Sequence, residues 1–356
     1  MRPDEWGLSP STPLGSVLTR LDRGGDEQSF PEPTVFLSVV VRTRGTRRTL
    51  ADTLTCLAAQ TCDDFEVLLF VDTEHDDDEA AARAQVEPYD HVFRARVHVR
   101  RLRSNNRVTP LNAAIDVAAG RWFAVLDDDD LVTADWVERF RDGATDEGTI
   151  VRSRGVEQHV RRADGVSDVE PTTGFQLPYA ATFDLLDHML VNQSPIHTLA
   201  FPTRAFRALG IRFDPELPVY EDLDVILRSA QWCGVHDTGA ITAIYRRWDD
   251  AEASIHAYTA EQWAATKAKV LDRLDARPLL LPPGNATRLV MLLADVERLR
   301  TADVALEAME RSRVWRATKP VRVALADRRV RRVLGTARRV IGSVARRFRG
   351  RTPDAP

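Results

Sequence analysis

Four consecutive aspartates, Asp127 to Asp130, are the residues of this chain with the most distinctive chemistry. They follow the apolar run Trp122–Leu126, which predicts a buried strand that ends at the first aspartate. Open α/β sheets bind their ligands beyond the carboxyl ends of their strands. Adjacent carboxylates repel one another unless a cation joins them, and oxygen-only ligands are typical of Mg²⁺ or Mn²⁺. The run therefore predicts a metal site, with a solvated acidic loop as the alternative.

Polar residues also follow the other predicted strands in the first half of the chain. Asp72 ends the second strand, where a carboxylate can accept hydrogen bonds from a ribose or a base; an ordinary loop aspartate is the alternative. Asn105–Arg107 precede a helix that begins at Thr109, and donors beside a helix N-terminus suit an anion such as a diphosphate. Four arginines surround the first strand-to-helix turn and face either an anion or solvent: Arg42, Arg44, Arg47 and Arg48.

A second pair of acids, Glu221 and Asp222, lies at the start of a predicted helix that extends over Tyr220–Cys233. Acids at a helix start are common because they interact favourably with the helix dipole. The functional interpretation is that one carboxylate is a general base that faces the metal site across a cleft, with a pKa raised by burial. Arg228, six residues after Asp222, is then placed to orient that carboxylate or a phosphate.

Hydrophobic periodicity predicts alternating strands and helices around these residues. The predicted strands are Val35–Val41, Phe65–Val71, Arg96–Arg100 and Arg121–Leu126, and the predicted helices are Thr46–Ala59, Asp76–Val86 and Thr109–Ala119. Such alternation favours a parallel sheet covered by helices on both faces. Thr133–Arg141 is one more predicted helix. The later strands have longer connections, and we expect them to complete the sheet in mixed directions and to form the acceptor side: Thr149–Arg161, Ile196–Phe201 and Ile241–Arg247.

The composition is that of a globular chain with an uneven distribution of charge. The 356 residues are 44% hydrophobic and 29% charged, with a net charge of -4. Residues 311–351 hold fourteen Arg and one Lys against a single acid, so a basic tail follows an acidic body. Three cysteines are too few for a disulfide framework and favour a reducing cytosol. With neither a signal sequence nor a membrane-spanning stretch in the sequence, we expect a cytoplasmic location.

Several stretches, taken in order, resemble the inverting glycosyltransferases of family 2, which have the GT-A fold. The matching stretches are Ser38–Gly45, Ala58–Thr61, Phe65–Val67, Asn112–Gly120, Leu126–Asp130 and Tyr220–Asp224 with Arg228. The resemblance implies an α/β fold with a Rossmann-like, mixed and mainly parallel sheet flanked by helices, followed by a C-terminal helical extension. Four domains are expected: a flexible arm (1–33), a GT-A domain (34–255), a helical extension (256–310) and a basic amphipathic tail (311–356).

The resemblance also implies roles for individual acids. Asp127 and Asp129 look like the two acids of the family's Asp-x-Asp motif, with Asp129 as the direct metal ligand and Asp127 as a contact of the sugar nucleotide. A register shift to Asp128 and Asp130 stays open. Asp222 looks like the catalytic base, and its expected supporting residues are Glu221, Arg228 and Asp130. Together with the reasoning from the residues, the predicted donor-binding set is Thr43, Arg44, Asp72, Arg107, Asp127 and Asp128.

The predicted function is transfer of a sugar from a nucleotide-diphosphate donor to an acceptor hydroxyl with inversion. Mg²⁺ or Mn²⁺ is the expected cofactor, and a saccharide or lipid-linked acceptor in cell-envelope polysaccharide or glycolipid synthesis is the expected partner. A nucleotidyltransferase is one alternative, but it would need a Gly-rich loop after the first strand, where only Gly45 is present. The other alternative is a non-catalytic sugar-nucleotide-binding or scaffold protein that docks partners through its C-terminal helices.

The basic tail has an amphipathic pattern over 330–349. Its apolar residues recur at helical spacing, and most of the remaining positions are arginines. Such a helix is typical of attachment to an anionic membrane surface, here the inner face of the plasma membrane. The alternative is that the apolar stripe packs on the acidic body. No nucleic-acid partner is expected, because aromatic side chains that could stack on bases are sparse.

Overall fold

The structure, a computed structural model, describes residues 32–104, 106–162, 169–249, 257–282 and 284–318. Asn105, the tail over 330–349 and all but the last two residues of the predicted arm lie outside these ranges. The chain divides into two units, one up to Ala286 and one from Thr287 onward, and each is described by itself.

Four parallel strands form the first half of the sheet and have its most apolar sequences. In chain order they are β1 (Val35–Thr43), β2 (Phe65–Asp72), β3 (Val97–Leu102) and β4 (Gly120–Asp127), and in the sheet they lie in the order β3-β2-β1-β4. Strands buried on both faces have continuous apolar sequences, which explains the sequences of β1, β2 and β4. The pairing of β1 with β4 places Arg42 beside Asp127 at the carboxyl end of the sheet.

The second half of the sheet is mixed in direction. Its strands are β5 (Leu131–Val132), β6 (Ile150–Arg162), β7 (Val169–Pro171), β8 (Leu199–Pro202) and β9 (Val235–Trp248). Strand β8 runs antiparallel to β4 and β6, while β6 and β9 are parallel to each other and β5 pairs antiparallel with β9. The order β3-β2-β1-β4-β8-β6-β9-β5, with β7 on β6, therefore joins the first half of the chain to the second through one sheet.

Helices cover both faces of this sheet. Those of the first unit are α1 (Thr49–Ala58), α2 (Asp76–Val86), α3 (His91–Arg96), α4 (Thr109–Val117), α5 (Trp136–Gly143), α6 (Leu185–Leu190), α7 (Thr203–Leu209), α8 (Glu221–Cys233) and α9 (Ala260–Asp275). One buried cluster includes Leu54 of α1 and Trp136 of α5, and a second includes Leu111 of α4 and Ile226 of α8. Val40 of β1 enters one cluster and its neighbours Val39 and Val41 enter the other, as a two-sided strand requires. These layers confirm the predicted α/β fold class, with a mixed sheet flanked by helices.

Three predicted elements differ locally from the structure. Arg96 was expected in a strand but ends helix α3, because Asp90 caps that helix through the backbone nitrogen of Phe93. The predicted strand over Ile196–Phe201 begins with a short 3₁₀ helix, Ile196–Thr198, before β8. Tyr220 precedes helix α8 rather than opening it, and its φ of 61° lies in the left-handed region, which is unusual for a large side chain.

The turn after β1 depends on a glycine. Gly45 has a φ of 87°, and a Cβ atom built on it would lie 2.2 Å from the carbonyl oxygen of Asp78. Its backbone nitrogen donates a hydrogen bond of 3.0 Å to the Thr43 hydroxyl. A side chain at position 45 would therefore clash with backbone and displace the turn that contains the predicted donor contacts Thr43 and Arg44.

The C-terminal part of the described chain is helical, as predicted. Helix α9 starts with a capping box formed by Thr259 and Gln262, and its Val270 and Leu274 enter the buried core of the first unit. Two more helices follow, α10 (Asn285–Arg311) and α11 (Arg313–Ala317), and neither has a buried residue. None of the described helices combines the length and apolar character needed to cross a membrane.

Candidate active site

The first aspartate of the run is held by an arginine from the neighbouring strand. Arg42 donates two hydrogen bonds to Asp127, from Nε to Oδ1 at 2.6 Å and from Nη2 to Oδ2 at 3.0 Å. Burial alone would raise the pKa of Asp127, but the Arg42 guanidinium outweighs it and lowers the pKa to about 2. Asp127 is therefore ionised at neutral pH, and both of its oxygens are paired with Arg42.

The next two aspartates share a more exposed arginine. Arg47 Nη1 lies 3.2 Å from Oδ1 of Asp128 and 2.9 Å from Oδ2 of Asp129, and 48% of the Arg47 side chain is exposed. Burial and the neighbouring Asp129 charge raise the pKa of Asp128 to about 6. Burial and Asp127 likewise raise the pKa of Asp129. Oδ2 of Asp128 is buried and has no hydrogen-bond partner among the described residues, so this carboxylate has an unused ligand position.

The fourth aspartate points into the protein. Asp130 Oδ1 accepts a hydrogen bond of 2.9 Å from the backbone nitrogen of Arg246, and Oδ2 lies 3.3 Å from Nδ1 of the buried His197. Burial and Asp129 raise the pKa of Asp130 well above its usual value, and burial lowers the pKa of His197 to about 4. These shifts disfavour the charged forms of both groups, and Asp130 joins the aspartate run to strand β9 instead of opening toward solvent.

The predicted donor contacts lie around the carboxyl ends of β1 and β2. Asp72 accepts hydrogen bonds from the backbone nitrogen and the hydroxyl of Ser104, at 2.8 Å and 2.7 Å, and so fixes the loop after β3. Thr43 is buried beside Asp128 and favours its ionised form. The Arg44 side chain is exposed. Sequence reasoning missed Ser104, for which only its position just after a strand is a signal.

The second pair of acids is brought to the same edge of the sheet. Glu221 is buried, and its Oε1 lies 3.5 Å from Arg42 Nη1 and 3.3 Å from Arg107 Nη2. Arg42 also donates a hydrogen bond of 3.0 Å to the carbonyl oxygen of Arg107. Since Arg42 contacts Asp127 and Glu221 at once, one guanidinium joins the two acid groups that lie far apart in sequence.

Among the described residues, the side chain of Asp222, the predicted base, accepts hydrogen bonds from two neutral donors. Its Oδ2 accepts a hydrogen bond of 2.8 Å from Nδ2 of Asn192, and its Oδ1 accepts one of 2.7 Å from the backbone nitrogen of Leu223. Burial, and after it the charge of Glu221, raises the pKa of Asp222 to about 6. A carboxylate with a pKa near neutrality can both take up and release a proton at physiological pH.

Tyr245 on β9 lies within the electrostatic range of both acid groups. Its pKa is raised by burial first, and then by Asp130, Asp222 and Asp127. Its ring centroid lies 6.1 Å from that of His197, which contacts Asp130. Tyr245 is therefore an aromatic side chain near both the aspartate run and Asp222, and nothing in the local sequence around it indicates this position.

Arg228 has different partners from those that the sequence suggested. It donates to Asp224 Oδ2 from Nε at 2.9 Å and from Nη2 at 2.5 Å, and Nη2 also donates to the carbonyl oxygen of Arg212 at 2.6 Å. These contacts lie one turn along helix α8 from Asp222. In this structure Arg228 stabilises the helix that carries the candidate base, and its described contacts include neither Asp222 nor Glu221.

The aspartate run offers oxygen ligands that suit a hard divalent cation. Among the described residues, no three His, Cys, Asp or Glu side chains form a cluster that could hold a metal ion by themselves. Mg²⁺ is commonly held by one or two carboxylates and completed by phosphate oxygens and water. Oδ2 of Asp128 and the partly exposed carboxylate of Asp129, which pairs with the half-exposed Arg47, fit such a shared site. The donor set therefore fits Mg²⁺ or Mn²⁺ in the presence of a diphosphate.

The family comparison covers the region from strand β1 through the aspartate run and ends before Glu221 and Asp222. Residues 38–198 match the family model described as "Glycosyl transferase family 2". Over these residues the chain has the sequence pattern of that family, which confirms the predicted resemblance to family 2 glycosyltransferases and the GT-A-like fold. No curated protein matches the chain by sequence.

Solved structures that are similar to this chain include the following two. TarS 1-349 of S. aureus in complex with UDP-GlcNAc is 20% identical with a TM-score of 0.48, and the match covers 66% of this chain and 65% of that one. The mannosyltransferase PcManGT from Pyrobaculum calidifontis in complex with GDP-Man and Mn²⁺ is 16% identical with a TM-score of 0.48, and the match covers 94% of each chain. The chain spans 60% to 65% of the length of the TarS 1-349 chains that it matches.

Proposed function

We propose that this chain transfers a sugar from a nucleotide-diphosphate donor to an acceptor hydroxyl, with inversion at the anomeric carbon. One observation above all supports this function. Arg42 pairs with Asp127 and reaches Glu221, so the aspartate run and the Asp222 pair meet at one edge of the sheet. In a single displacement, the group that binds the donor and the base that activates the acceptor act at the same carbon, so both must line one site.

The donor would lie along the carboxyl ends of β1, β2 and β4. Its nucleotide would contact Thr43, Arg44 and Asp72, and its diphosphate would face Arg107 at the start of α4. Asp127 and Asp128 complete the proposed donor-binding set. Asp129, together with Asp127, would hold Mg²⁺ or Mn²⁺, whose positive charge offsets the charge on the departing diphosphate.

Asp222 would be the catalytic base. Its carboxylate would accept the proton of the acceptor hydroxyl, and that oxygen would attack the anomeric carbon from the face opposite the diphosphate. The pKa of about 6 leaves Asp222 mainly ionised at neutral pH and still basic enough to accept a proton. Glu221 would keep Arg42 and Arg107 in place beside the donor, because its carboxylate pairs with both of them.

The acceptor would be a saccharide or a lipid-linked saccharide of the cell envelope. This part of the proposal comes from the basic amphipathic sequence over 330–349, which would attach the enzyme to the anionic inner face of the plasma membrane. Sedimentation with anionic liposomes tests it. The full chain should sediment and a chain truncated after Met309 should not; equal sedimentation of both would remove the membrane assignment.

Hydrolysis of a panel of nucleotide sugars, with and without Mn²⁺, tests the proposed function. Water can replace the acceptor hydroxyl, so we expect slow, Mn²⁺-dependent release of a nucleoside diphosphate from one donor of the panel. The matched control is Asp222→Asn, which keeps the shape of the side chain but removes the base. Release at the wild-type rate by Asp222→Asn would overturn the assignment of the base.

A non-catalytic sugar-nucleotide-binding or scaffold protein is the second candidate. Helix α10 favours it, because its 27 residues include exposed apolar side chains such as Val290, Leu299 and Val304 and no buried residue. Such a helix suits a docking partner. Binding of a nucleotide sugar without any turnover, by wild type and Asp222→Asn alike, would favour this candidate over the transferase.

A further inference from the structure

The loop between α6 and the short 3₁₀ helix reaches the candidate base through Asn192. Its Nδ2 donates to Asp222 Oδ2 at 2.8 Å, and its Oδ1 accepts a hydrogen bond of 3.0 Å from the backbone nitrogen of Ser194. The second bond fixes which end of the amide faces which partner, because a backbone N–H needs an oxygen as its acceptor. Asn192 must therefore present its N–H group to Asp222.

A buried network of hydrogen bonds holds the loop at Ser194. Ser194 accepts a hydrogen bond of 2.7 Å from Arg152 Nε, and its oxygen lies 2.8 Å from Nε2 of His188. Burial lowers the pKa of His188 to about 4, and its Nδ1 lies 2.7 Å from the carbonyl oxygen of Asp184. The neutral ring therefore donates from Nδ1, and Nε2 accepts the Ser194 hydroxyl proton. Arg152, 1% exposed, is anchored in turn by Asp237 at 2.5 Å.

The other end of the loop is fixed as well. Lys267 of helix α9 donates a hydrogen bond of 2.6 Å to the carbonyl oxygen of Leu190, and its ammonium lies 5.6 Å from the ring centroid of Tyr220. Tyr220 immediately precedes the acids of α8. Asn192 is thus a short side chain on a loop that hydrogen bonds fix at both ends. A fixed loop of this kind can hold a neighbouring side chain in one position.

We propose that Asn192 is a positioning residue for Asp222, holding the carboxylate in one orientation and favouring its ionised form. The inference rests on the proposed role of Asp222 as the base. With Oδ1 held by the Leu223 backbone and Oδ2 by Asn192, neither oxygen can rotate away without losing a hydrogen bond. The other ionisable groups around Asp222 are Glu221, Arg42, Arg107, Tyr220 and Tyr245.

Two variants and a neighbouring control test the role of Asn192 in Mn²⁺-dependent donor hydrolysis. Asn192→Ala removes the donor, and Asn192→Asp keeps the shape but places a second negative charge beside Asp222. Gln193→Ala is the control, because Gln193 accepts from the backbone nitrogen of Ala180 instead. We expect kcat to fall about 10- to 100-fold at pH 7 in both Asn192 variants, with little change in the KM for the donor.

The pH–rate profile separates positioning from general damage to the loop. In both Asn192 variants the acidic limb should move to higher pH, by about one pH unit or more in Asn192→Asp, because the ionised base has lost a donor or gained a like charge. Gln193→Ala should keep the wild-type limb. A wild-type profile in both Asn192 variants, or the same shift in Gln193→Ala, would overturn the positioning role.

Urea unfolding gives a second measurement that needs no activity. Asn192→Asp should lower the urea midpoint more at pH 8 than at pH 5, and this difference should vanish in an Asp222→Ala background. Equal effects in both backgrounds would contradict the inference. If Asp222→Asn hydrolyses donor like wild type, the proposed function fails; if it does not and the Asn192 variants match Gln193→Ala, only the positioning role fails.

Discussion

The two groups of acids in this protein are stabilised in opposite ways. Asp127 receives two hydrogen bonds from a guanidinium, whereas Asp222 receives its bonds from a side-chain amide and a backbone nitrogen. Both carboxylates are affected by burial, yet the pKa of Asp127 is lowered to about 2 and that of Asp222 is raised to about 6. The charge of the hydrogen-bond partner decides the direction of the pKa shift.

The difference in pKa gives the two groups of acids different chemical capacities. A carboxylate with a low pKa stays ionised and can organise cations, but it is a poor proton acceptor at pH 7. A carboxylate with a pKa near 6 is a better base, and its neutral donors do not compete for its charge. The sequence contains acids in both places, and their partners in the structure support the proposal that one group binds the donor and the other accepts a proton.

The largest effect is expected from removing the proposed base. Asp222→Asn should lower turnover by a factor of about 10²–10⁴, since the amide cannot accept the proton of the acceptor. Nucleotide affinity should remain close to wild type, because the proposed donor contacts lie at the ends of β1, β2 and β4. Steady-state kinetics and calorimetric titration of the nucleoside diphosphate measure the two quantities. A variant that loses binding and turnover together would place Asp222 in the donor site instead.

Removing the partner of Asp127 should have the next largest effect, on stability. Arg42→Met leaves Asp127, whose side chain is 25% exposed, and the buried Glu221 without this counter-ion, which should lower the free energy of unfolding by up to about 3–5 kcal/mol. Arg44→Met is the matched control: this neighbouring side chain is exposed, so its loss should cost less than about 0.5 kcal/mol. Chemical denaturation compares them. Equal stability of the two variants would show that Arg42 does not stabilise Asp127.

A smaller effect is expected at the proposed metal ligand. Asp129→Ala should abolish most of the gain in nucleotide-diphosphate affinity that Mn²⁺ provides, about tenfold, and leave the affinity without metal unchanged. Asp77→Ala, at an exposed acid in the first turn of α2, is the control for a simple loss of negative charge. Unchanged affinity of Asp129→Ala both with and without Mn²⁺ would remove Asp129 as a ligand.

The smallest effect is expected on the free energy of unfolding when the ionisable side chain of Asp222 is replaced. Because the folded pKa of Asp222 is about 6 and its ordinary value is 3.8, the unfolded state loses this proton first, and the folded state loses stability as the pH rises from about 4 to about 6. At pH 7 the free energy of unfolding of Asp222→Asn should therefore be about 1–2 kcal/mol higher than that of the wild type. This gain in stability should disappear below about pH 4. Denaturation at several pH values measures this. A gain that is independent of pH would contradict the raised pKa.

Much of the fold could be predicted because its signals are local. The apolar runs of β1, β2 and β4 and the helix start at Thr109 and Pro110 each lie within a few residues of sequence. Helix α3 was missed because its cap, Asp90, gives only a weak signal beside a short helix. The predicted strand start at Arg96 was wrong for the same reason.

The partners of the site residues could not be predicted because they depend on strand register and loop contacts. Arg42 and Asp127 are 85 residues apart and meet only because β1 pairs with β4. A divalent cation was expected to offset the aspartate run, and the described structure adds two arginines, Arg42 and Arg47, that offset part of it. Asn192 is 30 residues from Asp222 and belongs to no motif that sequence reasoning could find.

The configuration of the first-formed product tests the central claim most directly. Proton NMR can follow the anomeric signal while the enzyme consumes its nucleotide sugar. If Asp222 activates an acceptor or water for a single displacement opposite the diphosphate, the product should first appear as the anomer opposite to that of the donor. First appearance of the donor's own anomer would contradict a direct displacement assisted by one base.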